Sequence, residues 1–527
     1  MALPPTSTAV RLHPGKLADI RVEELPTPSI THPDDAIVKV LKAGLCGSDL
    51  HAYRGLEPFD APYICGHELV GEIVALGSSF GAAGAEDRPA LYSKLRIGDK
   101  VVSPFTCSCE ECHFCRIGFP SRCVHSLLFG SPYLAGAQAQ YARIPKAGGT
   151  LFLLPPELPK DLPEESFMLC GDILPTGYFA AIQALGHPNV APIIKGESYP
   201  AVIGSIVPNV VGLQEGARVL KEDRKLSVAI VGLGPVGICA LVALLDILTH
   251  NAVPEYTVYA IDPVPARRAK AEAILKKMTP AEAAHVVVLD IDAAKAAVKA
   301  DTEKGVDAVL EIVGNDSAIV LAYELMRPFG VISSVGVHTS PQFPLNGDAL
   351  YTKNVAASFG RCPVRAMFPL AVDLLVRRRD VLGGVGGEEA LVERVIPLSE
   401  AVNGYEKFDS REWGKVPPRP PSSSAVSPSD AAQVNNLTPL ARLLIRAPSP
   451  PSSHFPSPAA SYLLNHAHAK STHPRRLPAP VFLTLSSSPS TTERIYEPLA
   501  RSRYTRASVL EGTARLIALT LTTPALR

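Results

Sequence analysis

The sequence lacks a charge bias: 51 basic residues face 51 acidic ones, and the formal net charge is zero. Nothing in that balance draws the chain to nucleic acid or to an anionic membrane. It also lacks any stretch of about 18 uninterrupted apolar residues, so no membrane span is expected. A basic start followed by an apolar run is missing too, because the first residues read MALPPTSTAVRLHPGKL and do not match a secretory signal. No internal repeat is found. A soluble, cytoplasmic chain is therefore expected, with neither nucleic acid nor a membrane as partner. In that reducing setting, clustered cysteines read as metal ligands rather than disulfides.

What is abundant is length and proline. A chain of 527 residues exceeds one compact core and implies roughly two to four domains. Residues 1–180 carry short β-type runs, such as Ala36 to Val40 and Leu69 to Leu76, broken by Gly, Pro and Asp. Residues 181–337 alternate apolar strands with helical stretches; strands are predicted at 227–231, 257–261, 285–289, 306–310 and 330–335. Repeated β-α-β units imply a parallel, doubly wound sheet, so the fold class is α/β. Residues 338–416 return to mixed structure. Residues 417–527 are Pro- and Ser-rich, more basic than acidic, and expected to be disordered apart from a short helix near 507–519. Two irregular stretches, 79–94 and 188–225, read as surface insertions.

The strongest local signal is Cys109-Glu-Glu-Cys112-His-Phe-Cys115, followed by Cys123. Four thiolates can close a tetrahedron around zinc and leave no position for substrate, which makes a structural site. Cys107 and His113 in the same loop read as bystanders. A second constellation is dispersed: Cys46-Gly-Ser48-Asp49-Leu-His51, then Gly66-His67-Glu68, then Asp172-Ile-Leu-Pro-Thr176-Gly. A Cys, a His and a carboxylate suit a catalytic zinc with an open fourth position. Singly, each has a plainer reading: Cys46 as a small buried hydrophobe, His67 as a core histidine, Asp172 as a helix cap. A third signal, Gly232-Leu-Gly234-Pro-Val-Gly237, follows a predicted strand and opens a predicted helix over 238–248. Its glycines let the backbone approach a pyrophosphate at the helix N-terminus. Asp262, closing the next strand, can accept from both ribose hydroxyls, which favours NAD; Arg267 and Arg268 are the residues that could hold a 2′-phosphate instead.

Together these three sets resemble the zinc-containing medium-chain alcohol dehydrogenase family over about residues 8–416, and the segment Leu398 to Phe408 is similar to the family's last helix. The resemblance implies a GroES-like catalytic domain wrapped around a Rossmann NAD-binding domain, with the active site between them. It implies that Cys46, His67 and Asp172 hold the catalytic zinc, with Cys170 as the other candidate. Glu68 is similar to a glutamate that approaches the metal when water exchanges. An aspartate at position 172 looks like the glutathione-independent formaldehyde dehydrogenase branch and its fungal-type relatives. Ser48 and His51 are then expected to relay the substrate proton, Asp49 to buttress His67, and Thr176 to contribute to the cofactor site. The expected partners are an alcohol or aldehyde and a second copy of the chain, as homodimer or homotetramer. The alternatives are a polyol or sugar-alcohol dehydrogenase, a catalytically silent nucleotide-binding relative, and a zinc-free quinone or enoyl reductase. The insertion at 188–225 is expected close to the cleft, and the Pro-rich tail departs from the family's usual ending near Val416.

Overall fold

The computed structural model describes residues 3–410, apart from 82–86, 156, 200–219, 303 and 387–389, together with 412–413 and the backbone of 418–419. All of these belong to the unit spanning 1–431. The tail from residue 417 and its short helix, expected to be disordered, otherwise lie outside the described residues, as does the segment 414–416.

The first part is built on antiparallel strands. β1 (Thr6–Leu12), β2 (Ile20–Pro26) and β4 (Tyr63–Ile64) form one small sheet in the order β2-β1-β4. β3 (Ala36–Ala43), β5 (Leu69–Leu76), β6 (Lys100–Ser103), β7 (Tyr141–Ile144) and β8 (Phe152–Leu153) form the other, ordered β7-β3-β5-β6-β8. Val38, Val40, Leu69, Ile73 and Ile144 bury a common face there. β3 and β5 slip register twice along their pairing, at Ile37/Val38 and Val40/Lys42. Such bulges bend a strand and re-aim the chain at its far end; here that chain carries Cys46, three residues past β3.

The second part is a six-stranded parallel sheet: β9 (Leu226–Val231), β10 (Tyr256–Ile261), β11 (Val286–Leu289), β12 (Val306–Glu311), β13 (Met326–Ser334) and β14 (Ala356–Phe359), in the order β11-β10-β9-β12-β13-β14. This is the doubly wound order that reverses at β9/β12, the crevice where such sheets bind ligands. β9 and β12 are buried along their whole length, as strands covered on both faces must be. The sixth strand lies beyond residue 337, where the sequence pattern ends this domain. It has only four residues, at the sheet edge and partly exposed, so it carries little apolar signal.

The two parts share one core. Val70 and Val102 of the antiparallel sheet cluster with Ile173 and Leu174, and with Ile238, Leu241 and Leu245 behind the parallel sheet. The helix Ile173–Leu185 packs on the helix Pro235–His250, and a Cβ on Gly177 would lie 2.5 Å from the Ala240 nitrogen. Further along, Leu398, Ala401 and Tyr405 return to pack on Val10, Leu12 and Leu50, so the segment after the parallel sheet rejoins the first part. The helix Ala401–Asp409 there is the one expected around 398–408.

Among the described residues no single helix is long and apolar enough to cross a membrane. The bent pair Glu164–Gly171 and Ile173–Leu185 has the composition for it, but Phe167, Leu169, Ile173 and Leu174 are buried in the core.

The described part of the insertion at 188–225 does not reach the cleft. The Asn189 carbonyl accepts from Arg327 at 3.0 Å, and Ile193, Glu197 and Tyr199 face Phe329 and Asn354. Those residues mark the N-terminal ends of β13 and β14, opposite the end that carries the glycine loop. The physical reason is the helix Ile173–Leu185, whose 13 residues carry the chain about 20 Å along its axis before the insertion begins.

Candidate active site and metal centres

Cys46 sits between β3 and the short helix Asp49–Tyr53, His67 and Glu68 just before β5, and Asp172 at the start of the helix Ile173–Leu185. One donor atom from each of Cys46, His67, Glu68 and Asp172 lies within 4.8 Å of the others. Cys46 Sγ is 3.7 Å from Asp172 Oδ2, and His67 Nε2 is 3.5 Å from the same oxygen. Asp172 occupies the helix N-cap position without making a cap hydrogen bond. Its carboxylate instead turns to Cys46, His67 and the Thr176 hydroxyl, which donates to Oδ1 at 3.3 Å. Cys170 is excluded from this set. It is fully buried among apolar side chains, and burial pushes its thiol far above the usual range.

The residues around the cluster hold it in place. Asp49 Oδ1 lies 3.3 Å from His67 Nδ1, and its other oxygen accepts from the Cys46 backbone N–H at 2.9 Å. The Ser48 hydroxyl is 3.2 Å from His67 Nε2. His51 stands further out, 3.3 Å from Glu57 and partly exposed. Burial opposes a proton on His67, but Asp49 and Asp172 outweigh it and push the imidazole well above its usual pKa. Two carboxylates and a thiol crowded on one buried histidine form a donor set that fits a divalent cation.

The cysteine loop fits zinc by geometry. Cys109, Cys112, Cys115 and Cys123 bring their sulfurs within 4.8 Å of one another, with Cys109–Cys123 at 3.5 Å and Cys112–Cys123 at 3.9 Å. A tetrahedron with Zn–S of about 2.3 Å has edges of about 3.8 Å. Backbone N–H groups of Glu111 and Cys112 point at Cys109 Sγ, and that of His125 at Cys123 Sγ. Burial opposes ionisation of Cys112, but hydrogen bonds from the Cys115 and Val124 backbone lower its pKa to about 6. Burial pushes Cys123 up to about 11 and raises Cys115 as well. One thiolate forms readily and its neighbours then resist, until a cation balances them. Cys107 stays outside, accepting from the Leu127 N–H, and His113 is not in the donor set.

At the parallel sheet, Gly232 has φ +100°, which only glycine adopts without strain. A Cβ on Gly237 would meet the Gly232 carbonyl at 1.9 Å. Gly234 caps the helix and Pro235 occupies its first turn. Asp262 is 1% exposed; its oxygens accept from the Leu233 and Val264 N–H groups, both at 2.8 Å. Arg268 is tied to the carbonyls of Asp262 and Pro263, and Arg267 leans on the Asp262 carboxylate at 3.4 Å. The Gly177–Ala240 contact packs the helix that starts at Asp172 against the helix that starts at the glycine loop, and each helix begins within about 9 Å of it along its own axis.

Sequence reasoning missed the loop 360–363. The Cys362 thiol is buried and hydrogen-bonded to Thr176, and its neighbour Arg361 feels the charges of Asp172 and Glu57. The sequence offered little signal for it, because the strand that leads into the loop, β14, is short and partly exposed.

Fold and sites define the class: a zinc- and NAD-dependent oxidoreductase with GroES-like and Rossmann parts. The profile described as "Alcohol dehydrogenase GroES-like domain" matches residues 32–156, and that described as "Zinc-binding dehydrogenase" matches 235–377. The chain is 37% identical over 398 residues to zinc-type alcohol dehydrogenase B of Aspergillus flavus, covering 75% of this chain and 78% of that one. Over 202 residues it is 30% identical to a glutathione-independent formaldehyde dehydrogenase of Pseudomonas aeruginosa, covering 36% of this chain and 47% of that one. The solved alcohol dehydrogenase TADH from Thermus sp. ATN1 aligns with a TM-score of 0.59 at 30% identity, over 78% of this chain and 99% of that one. The chain belongs to the zinc-type medium-chain alcohol dehydrogenase family.

Proposed function

We propose that the chain oxidises a primary or secondary alcohol, or an aldehyde hydrate, with NAD as hydride acceptor. The observation that carries this reading is the meeting of Cys46, His67, Glu68 and Asp172 around one point, with the Ser48 hydroxyl 3.2 Å from His67 Nε2. In this reading Cys46, His67 and Asp172 hold the catalytic zinc and Glu68 is the donor that can replace a departing ligand. Cys109, Cys112, Cys115 and Cys123 close around the structural zinc. Zinc at the first cluster would supply Lewis-acid polarisation of the substrate oxygen.

The chain's own residues do the rest. Ser48 Oγ accepts the substrate hydroxyl proton, and His51, one turn along the helix, receives it near the surface. Asp49 holds His67 Nδ1 and so fixes which ring nitrogen faces the metal. Gly232, Gly234 and Gly237 open the backbone to a pyrophosphate, Asp262 receives the ribose hydroxyls, and Thr176 lines the cofactor side of the cluster. Residues 1–180 and 338–416 serve catalysis and 181–337 the dinucleotide, with β14 carried over to the sheet. The outer edge of β14 lets two sheets pair, giving a homodimer or a pair of dimers.

Zinc content and NADH formation by the full chain test this, against simple alcohols, polyols and formaldehyde. The expected result is about two zincs per chain with NADH produced; the best substrate separates alcohol, polyol and formaldehyde oxidation. One zinc and no turnover on any of them refutes the reading and leaves a silent dinucleotide-binding relative.

A further inference from the structure

One buried acid of the parallel sheet has no role in the proton or hydride path. Glu311 closes β12, is fully buried, and stands opposite Val231 in the sheet register, one residue before Gly232. Its Oε1 accepts from the Val313 and Gly314 N–H groups at 2.8 and 2.7 Å. Its Oε2 accepts from the buried Ser334 hydroxyl at 2.6 Å. His338 completes the group, with Nε2 at 2.8 Å from Ser334 Oγ and 3.2 Å from Glu311 Oε2. The Ser334 proton is spent on Glu311, so the bond between Ser334 and His338 needs the hydrogen of Nε2. In the neutral ring Nδ1 is then the acceptor. Among the described residues Nδ1 has no hydrogen-bond partner, and the side chain is 25% exposed.

Contacts on both sides fix where the ring lies. Glu311 ends β12, and Phe359, the last residue of β14, meets the imidazole edge to face with centroids 5.6 Å apart. His338 therefore covers the end of β13, between the ends of its two neighbours. The loops there also touch the glycine loop. A Cβ on Gly232 would lie 2.7 Å from Val313 Cγ2, and one on Gly336 would lie 2.2 Å from the Gly314 nitrogen. Asp262 ends β10 and takes the adenosine ribose, and the loop after β9 takes the pyrophosphate. β12 and β13 lie on the far side of β9 from β10, so the nicotinamide riboside falls over their ends. A ring locked from below by a serine and a carboxylate, with one acceptor left over, suits an N–H donor arriving from that side.

We propose that His338 binds the nicotinamide end of the cofactor, its Nδ1 accepting a hydrogen bond from the carboxamide N–H while Ser334 and Glu311 hold the ring in that orientation. This rests on the NAD reading of the glycine loop. Equilibrium titration of the zinc-loaded full chain with NADH, with the reduced 3-acetylpyridine analogue and with ADP tests it and needs no turnover. The analogue carries a methyl where the amide carries its N–H groups, and ADP lacks the nicotinamide riboside altogether. His338→Gln keeps a donor for Ser334 near the Nε2 position and removes the acceptor at Nδ1. It should weaken NADH about fivefold or more and leave the analogue and ADP unchanged. Unchanged NADH affinity overturns the proposal and leaves the dehydrogenase reading standing if the variant still forms NADH. An equal loss on the analogue overturns it too, since the carboxamide is then not the group that is held. An equal loss on ADP means that the network only supports the loops, and it overturns the proposal as well. If the wild-type chain binds neither NADH nor ADP, the cofactor reading itself fails and takes this one with it.

Discussion

Cys109, Cys112, Cys115 and Cys123 come from fifteen consecutive residues, whereas Cys46 and Asp172 stand 126 residues apart. The first cluster is all sulfur and closes on itself; its loop includes Glu110 at φ +56°, a left-handed backbone for a non-glycine residue. The second mixes sulfur, imidazole and carboxylate and has a hydroxyl at its edge. A local cluster can organise its own loop when a metal binds. A dispersed one exists only after the sheet β3/β5 and the helix at Asp172 have already packed. Damage to the first should therefore show as instability, and damage to the second as lost chemistry in a stable fold.

The sharpest separation is expected from His67→Ala. NADH formation should fall by about 10³-fold or more, roughly 4 kcal/mol of transition-state stabilisation, while thermal unfolding moves little and zinc drops to about one per chain. A large fall in melting temperature would break the distinction. Cys112→Ser should do the reverse: zinc again near one per chain, but melting lowered by at least about 5 °C and activity lost in step with folded protein. Normal stability in this variant would mean that the lobe does not need its metal.

Asp49→Asn probes the support of the dispersed cluster. Its carboxylate holds both His67 and the Cys46 backbone, so zinc affinity or kcat/KM should fall about 10- to 100-fold with the circular dichroism spectrum unchanged. The smallest effect is expected at Arg88, which ties Asp34 to Glu111 of the cysteine loop, at 2.7 Å on each side. Burial would raise the Asp34 carboxyl, but hydrogen bonds from Arg88 and Lys146 hold it well below the usual range. A depressed carboxyl contributes stability above its unfolded pKa and loses it as pH falls, so this contribution should fade below about pH 4. Arg88→Ala should cost about 2 kcal/mol at neutral pH and flatten that acid limb in urea titrations.

The same contrast governs what was legible in the sequence. The cysteine lobe and the glycine loop were readable because their chemistry is written within a few turns of chain. For the dispersed site the residue types were readable, but two donors, Cys170 and Asp172, competed for one place. The structure brings the Asp172 carboxylate together with Cys46, His67 and Glu68, while Cys170 lies fully buried in the core. β14 was illegible for a different reason, since four partly exposed residues carry almost no pattern. The insertion at 188–225 was expected near the cleft by its place in the chain. In its described part, space runs the other way, because a whole helix intervenes.

The bare Cα of Gly177 against the Ala240 backbone works as a gauge block. It sets the separation of two rigid rods, one starting at the metal-facing carboxylate and the other at the phosphate-facing loop. That separation is the thickness of two backbones, with no side chain between them to be exchanged. Loops around the pocket are thus free to diverge while the alignment of metal and cofactor stays calibrated. A methyl group inserted there would mistune the reaction without touching a single reacting atom.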